Sequence, residues 1–114
     1  MATEGVLVTQ HRENGSLLLT VVGDVLIVNA AGLQRHLDEA IESDAERITL
    51  DMTGVGYIDS FGVGVVVKTQ SKMDKRHKRF KVLVNKTLSR IFQKSHLDAY
   101  LDISIKEQSA DEEE

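Results

Sequence analysis

Apolar residues fall into short runs along the chain, and the runs switch between two periods. Val6-Leu7-Val8 and Ser16-Leu17-Leu18-Leu19-Thr20-Val21-Val22 read as two strands, joined through Arg12-Glu13-Asn14-Gly15. Asn-Gly tolerates positive φ at both central turn positions, so the join is predicted to be a tight antiparallel hairpin. Gly23-Asp24 ends the second strand. From Asn29, a predicted N-cap, the residues Leu33, Leu37, Ala40 and Ile41 recur at helical spacing. Arg47-Ile48-Thr49-Leu50-Asp51 is a third strand and Phe80-Lys81-Val82-Leu83-Val84 a fourth, closed by Asn85. Leu88, Ile91 and Phe92 then mark one face of another helix, and Leu101–Ile105 alternates like a last, half-exposed strand.

Between the third and fourth strands, a glycine-bearing loop from Thr53 to Gly64 runs into a helix. Its inward stripe is predicted to be Val63, Val66, Val67 and Gln70, with Met73 or Asp74. Phe61 and Val65, four residues apart, fall on another ridge and are expected to stay exposed. Short apolar strands alternating with helices imply parallel pairs with right-handed crossovers. The predicted fold is a single α/β domain. It has a mixed β-sheet with an N-terminal antiparallel hairpin, the first strand at the edge, and helices packed mainly on one face.

A chain of 114 residues suits one domain with one core. The domain is expected to span residues 1–108, with 109–114 a disordered acidic tail. No apolar run approaches the ~20 residues of a membrane span, so no membrane insertion is expected. The first residues lack the basic and apolar regions of a secretory leader, and there are no cysteines. A cytoplasmic protein is therefore expected. Net charge is −4 but unevenly spread: residues 1–60 carry −7, residues 61–108 carry +7, and Asp111–Glu114 add −4. The simplest reading is that the two halves attract each other within one fold. Lys72, Lys75, Arg76, Lys78, Arg79 and Lys81 have no interleaved aromatic residues, and basic groups near a helix C-terminus complement its dipole. No direct nucleic-acid partner is expected.

Catalytic patterns are missing. Gly54, Gly56, Gly62 and Gly64 are not followed by Gly-Lys-Ser/Thr, nor are they spaced as G-x-G-x-x-G. His11, His36, His77 and His96 have no metal-ligand spacing. Ser60 lacks the leading glycine of a nucleophile elbow. No enzyme activity, metal or cofactor is expected. Asp59-Ser60 is the exception worth following. Such a pair at a helix start is first an N-cap, and a helix N-terminus is also a favourable seat for a phosphate.

Ile48 through Gly64, centred on Tyr57-Ile58-Asp59-Ser60-Phe61-Gly62, resembles the signature of STAS domains, the bacterial anti-sigma factor antagonists. Gly23-Asp24-Val25 with Asn29-Ala30 is similar to the family's first loop and helix start. Val82–Asn85, Ser89–Phe92 and His96-Leu97 are similar to its fourth strand and third helix. The likeness runs from Val6 to Ile105. It implies a partner switch in which Ser60 is the phosphoacceptor. The unphosphorylated protein would hold an anti-sigma factor serine kinase and free the sigma factor, and a metal-dependent serine phosphatase would reset it. Asp24, Asp59, Phe61, Gly62 and Val65 would form the partner-binding surface, with Phe61 and Val65 at its apolar centre and the two acids at its rim. Against the family pattern, Leu26 stands where an acid is common, Phe61 follows the serine, Leu88 replaces a frequent proline and His96 a frequent glycine. A constitutive scaffold or transport-complex subunit, which works without phosphorylation, is the alternative. The residues are silent on oligomeric state.

Overall fold

A computed structural model describes residues 2–3 and 5–106; the acidic segment 109–114 lies outside them. The strands are β1 (Ala2–Thr3), β2 (Val6–Glu13), β3 (Ser16–Val22), β4 (Arg47–Gly54), β5 (Arg79–Val84) and β6 (Ile103–Ile105). The helices are α1 (Ile27–Glu42), α2 (Ser60–Lys75) and α3 (Lys86–Lys94). The strands lie side by side in chain order within one sheet. β1, β2 and β3 pair antiparallel, whereas β3 through β6 pair parallel.

The hairpin tip is Asn14-Gly15 with φ of 50° and 79°, the mirror-image turn that those two residues favour. Two expectations change here. The strand read at Val6–Val8 continues to Glu13, because its polar half pairs fully with β3 although its side chains are exposed. It is also not the edge, since Ala2–Thr3 pairs outside it.

One face of the sheet forms the core. Register places Leu17, Ile48 and Phe80 in one row and Leu19, Leu50 and Val82 in the next, all buried. The intervening rows, such as Leu18, Thr49 and Lys81, point the other way and are only partly covered or exposed. Leu33, Leu37, Ala40 and Ile41 of α1 close over the buried face, as their spacing predicts. Leu88 and Phe92 of α3 are completely buried.

α2 is turned from its predicted orientation. Its buried stripe is Gly62, Val65, Val66, Thr69, Gln70 and Met73, while Val63 and Val67 are half-buried and Asp74 is exposed. The helix packs against α1 as well as the sheet, which widens the covered arc toward residues that a purely apolar stripe overlooks. Thr69, absent from the predicted stripe, joins the predicted Gln70 as a polar member of that arc, and Gly62 contributes no side chain to it.

Candidate functional site

Two loops meet where the central parallel strands end. Val25 and Ile58 form an isolated parallel bridge, with Val25 N–H donating to the Tyr57 carbonyl at 2.9 Å and Asp59 N–H to the Val25 carbonyl at 3.1 Å. This short clasp carries the start of α1 and the start of α2 side by side.

Asp59 is the N-cap of α2. Its Oδ1 accepts from Phe61 N–H at 2.9 Å and Gly62 N–H at 3.0 Å, satisfying donors that no helical carbonyl can reach. Its Oδ2 accepts from Ile27 N–H at 2.9 Å, the first residue of α1. One carboxylate thus ties two helix N-termini together. Asp59 therefore sets the geometry of the site with both of its oxygens engaged inside the protein.

The start of α1 differs from the predicted one. The N-cap is Leu26, which has no side-chain oxygen, and Asn29 sits one turn inside, buried. Asn29 Oδ1 reaches back to accept from Leu26 N–H at 2.9 Å, and its Nδ2 donates to the Asp24 carbonyl at 2.9 Å. Asn29 and Asp59 together thus do the work of the missing cap. An asparagine before an apolar run signals a helix start in either position, and only the loop clasp decides between them. Asp24 itself is exposed on the first loop, its carboxylate close to Gly56.

Ser60 is the first residue of α2 and is exposed. Beside it, Phe61 and Ile27 are 55% and 58% exposed, an apolar pair contributed by two helices. Ile27 joins the candidate site without a sequence signal: a helix start at Asn29 leaves it in the preceding loop, whereas it is the first residue of α1. Val65, expected to be exposed, is buried at 6%. It forms part of the floor of a groove between α1 and α2 rather than a projecting contact. Gly62 is also buried: a Cβ there would lie 2.5 Å from Ile58 Cγ1 and 2.8 Å from Val25 Cγ1. Its function is to let α2 approach the clasp.

The groove has a volume of about 470 Å³ and begins at Ser60, Phe61 and Ile27. Ala30, Ala31, Gly64 and Val65 give it a shallow apolar floor, with Gln34, Arg35 and Lys68 at the far end. Thr53, the other hydroxyl of the loop, is partly buried and donates to Asp51 Oδ1 at 2.7 Å. Among the described residues no group of three or more His, Asp or Glu side chains could hold a metal ion. No described helix is long and apolar enough to cross a membrane.

The STAS domain family model matches residues 7–110, nearly the whole chain. The chain belongs to the STAS domain family. Among curated proteins, the anti-sigma-F factor antagonist RsfB of Mycobacterium tuberculosis is 24% identical over 72 residues, covering 63% of this chain and 59% of RsfB. The match thus spans less than two thirds of that relative. Among solved structures, an anti-sigma factor antagonist from Mycobacterium paratuberculosis superposes with a TM-score of 0.80 at 18% identity, covering 86% of this chain and 84% of the other. The Bacillus cell fate determinant SpoIIAA in its phosphorylated form superposes with a TM-score of 0.69 at 17% identity, covering 92% and 96%. Both establish that this STAS domain shares their fold.

Proposed function

We propose that this STAS domain is a cytoplasmic anti-sigma factor antagonist that works as a phosphorylation-controlled partner switch at Ser60. Its unphosphorylated form binds an anti-sigma factor serine kinase and so frees a sigma factor. Phosphorylation ends that binding, and a metal-dependent serine phosphatase restores it. The domain acts by binding rather than by catalysis. The observation that carries this reading is the setting of Ser60: an exposed hydroxyl on the first turn of α2, beside the exposed Ile27–Phe61 pair.

The physics of that setting suits a charge switch. A phosphoryl group adds about −1.5 to −2 charges at pH 7, and at a helix N-terminus the dipole favours an anion. The cap is already made by Asp59, so the fold does not depend on the Ser60 hydroxyl. The cost of the modification falls on whatever docks over Ile27 and Phe61, because an unpaired anion would be desolvated there. The names of RsfB and of the superposed structures agree with this reading, as does the existence of a phosphorylated SpoIIAA.

The test is capture from an extract of the native cell on immobilised wild type, Ser60→Ala and Ser60→Asp, followed by calorimetry with the purified partner. Wild type and Ser60→Ala should retain an anti-sigma factor kinase, and only wild type should become phosphorylated. Ser60→Asp should bind more weakly by about 2–5 kcal/mol, a factor of tens to thousands. Equal affinity for Ser60→Asp and wild type would favour a constitutive subunit instead. Phosphorylation persisting in Ser60→Ala would move the acceptor to another residue such as Thr53.

A further inference from the structure

α1 and α2 both start at the clasp and run side by side, so facing positions form a ladder. On the lowest rung Arg76 donates to Glu42 at 2.6 Å. On the next, Lys72 donates to Asp38 at 2.8 Å. Above that, Gln34 Nε2 donates to Thr69 Oγ1 at 3.3 Å. Each of these rungs is complementary. Arg35 and Lys68 break the pattern. They stand about one turn above Asp38 and Lys72, both are exposed, and both line the groove that starts at Ser60. Among the described residues neither joins an ion pair. Asp38 is already shared between Lys72 and Gln34, and Glu39, one turn from Arg35, forms no ion pair with it. Two like charges on one groove repel weakly in the free protein, and an anion placed between them relieves this.

We propose that the groove receives a segment of the partner that carries an apolar side chain and a carboxylate. The apolar group lies over Ala30, Ala31 and Gly64, against Ile27 and Phe61, and the carboxylate lies between Arg35 and Lys68. This rests on the partner-switch reading and adds the chemistry of the surface that docks. It also gives the off state a cause: an acidic segment is attracted by Arg35 and Lys68 and repelled by a phosphate at the Ser60 end of the same groove.

The test uses the full chain and the anti-sigma factor recovered by the Ser60→Ala capture. Calorimetry at low and high salt compares wild type with Arg35→Glu, Lys68→Glu and Lys94→Glu. Lys94 lies on the last turn of α3, outside the groove, and matches the change in net charge. Arg35→Glu and Lys68→Glu should each lower affinity about tenfold and flatten its salt dependence, with Lys94→Glu within about twofold of wild type. Lys68→Glu should not lower the melting temperature, because the new carboxylate faces Arg35 and precedes Lys72 by one turn. Unchanged affinity in both groove variants, with Ser60→Asp still weak, would overturn the groove assignment and leave the switch standing. An equal loss in Lys94→Glu would reduce the effect to overall charge and overturn it too. If the capture yields no partner, the switch reading fails and takes this proposal with it.

Discussion

Two glycines on one helix have opposite reasons for being there. A Cβ at Gly62 would press on Ile58 and Val25, at 2.5 and 2.8 Å, inside the clasp that holds both helix starts. A Cβ at Gly64 would meet nothing within 4 Å. Gly62→Ala should therefore destabilise the protein by about 1–3 kcal/mol through overpacking. Gly64→Ala should stabilise it by about 0.5–1 kcal/mol, because glycine inside a helix loses more backbone entropy than alanine. Urea denaturation of the two variants checks both signs. Gly64→Ala also raises the floor of the groove, so added stability accompanied by weaker partner binding would mark that floor as a contact surface.

At the scale of elements, α2 and α3 end in the same way. Lys78 N–H returns to the Met73 carbonyl and His77 N–H to that of Asp74; Leu97 N–H returns to Phe92 and His96 N–H to Gln93. Each is a helix stop that places one residue in the left-handed region, and here those residues are His77 (φ 59°) and His96 (φ 58°). Glycine takes that conformation without the Cβ clash. His77→Gly and His96→Gly should each add up to about 1 kcal/mol, read as a rise in melting temperature. The resemblance to the STAS pattern marks His96 as a departure in place of glycine; its left-handed conformation comes only from the structure. The same division holds for the whole fold. Alternation and turn chemistry revealed the hairpin, the parallel strands and all three helices, because each follows from local periodicity. The rotation of α2 and the start of α1 depend on contacts between elements. Gln70, expected inward, is buried, but Thr69 carries no apolar signal, and Leu26 carries no capping signal. Of the candidate site, the motif pointed to Asp59, Ser60 and Phe61, and the structure brings these three together at the start of α2. Ile27 became part of it only when the clasp brought α1 alongside.

Over the whole molecule, the uneven charge of the sequence is partly resolved within the fold. Asp38 and Glu42 from the acidic first half pair with Lys72 and Arg76 from the basic second half. Lys78 Nζ donates to the Ile41 and Ser43 carbonyls at the end of α1, at 2.7 and 2.8 Å, where a cation complements the helix dipole. Much of the basic segment 72–81 is therefore engaged internally. The acidic residues Asp111–Glu114 have no apolar surface to bury. Ending the chain before Ala110 should leave the melting temperature within a few degrees of wild type, measured by circular dichroism or calorimetry. A larger drop would show that the tail packs on the domain.

The carboxylate that joins the two helix starts also bears on the timing of local opening. Ile27 N–H, Phe61 N–H and Gly62 N–H all end on Asp59, although Ile27 lies 32 positions away in the chain. None of these amides has a helical carbonyl to shield it, so their protection from solvent deuterium depends on one shared acceptor. They should exchange at rates that rise and fall together, unlike ordinary helix ends, which fray separately. In Asp59→Asn, where only one oxygen remains, that shared rhythm should split, with Ile27 and the α2 pair exchanging independently. In wild type carrying phosphate on Ser60 it should persist, because the added charge alters what the surface attracts while the clasp beneath it stays closed.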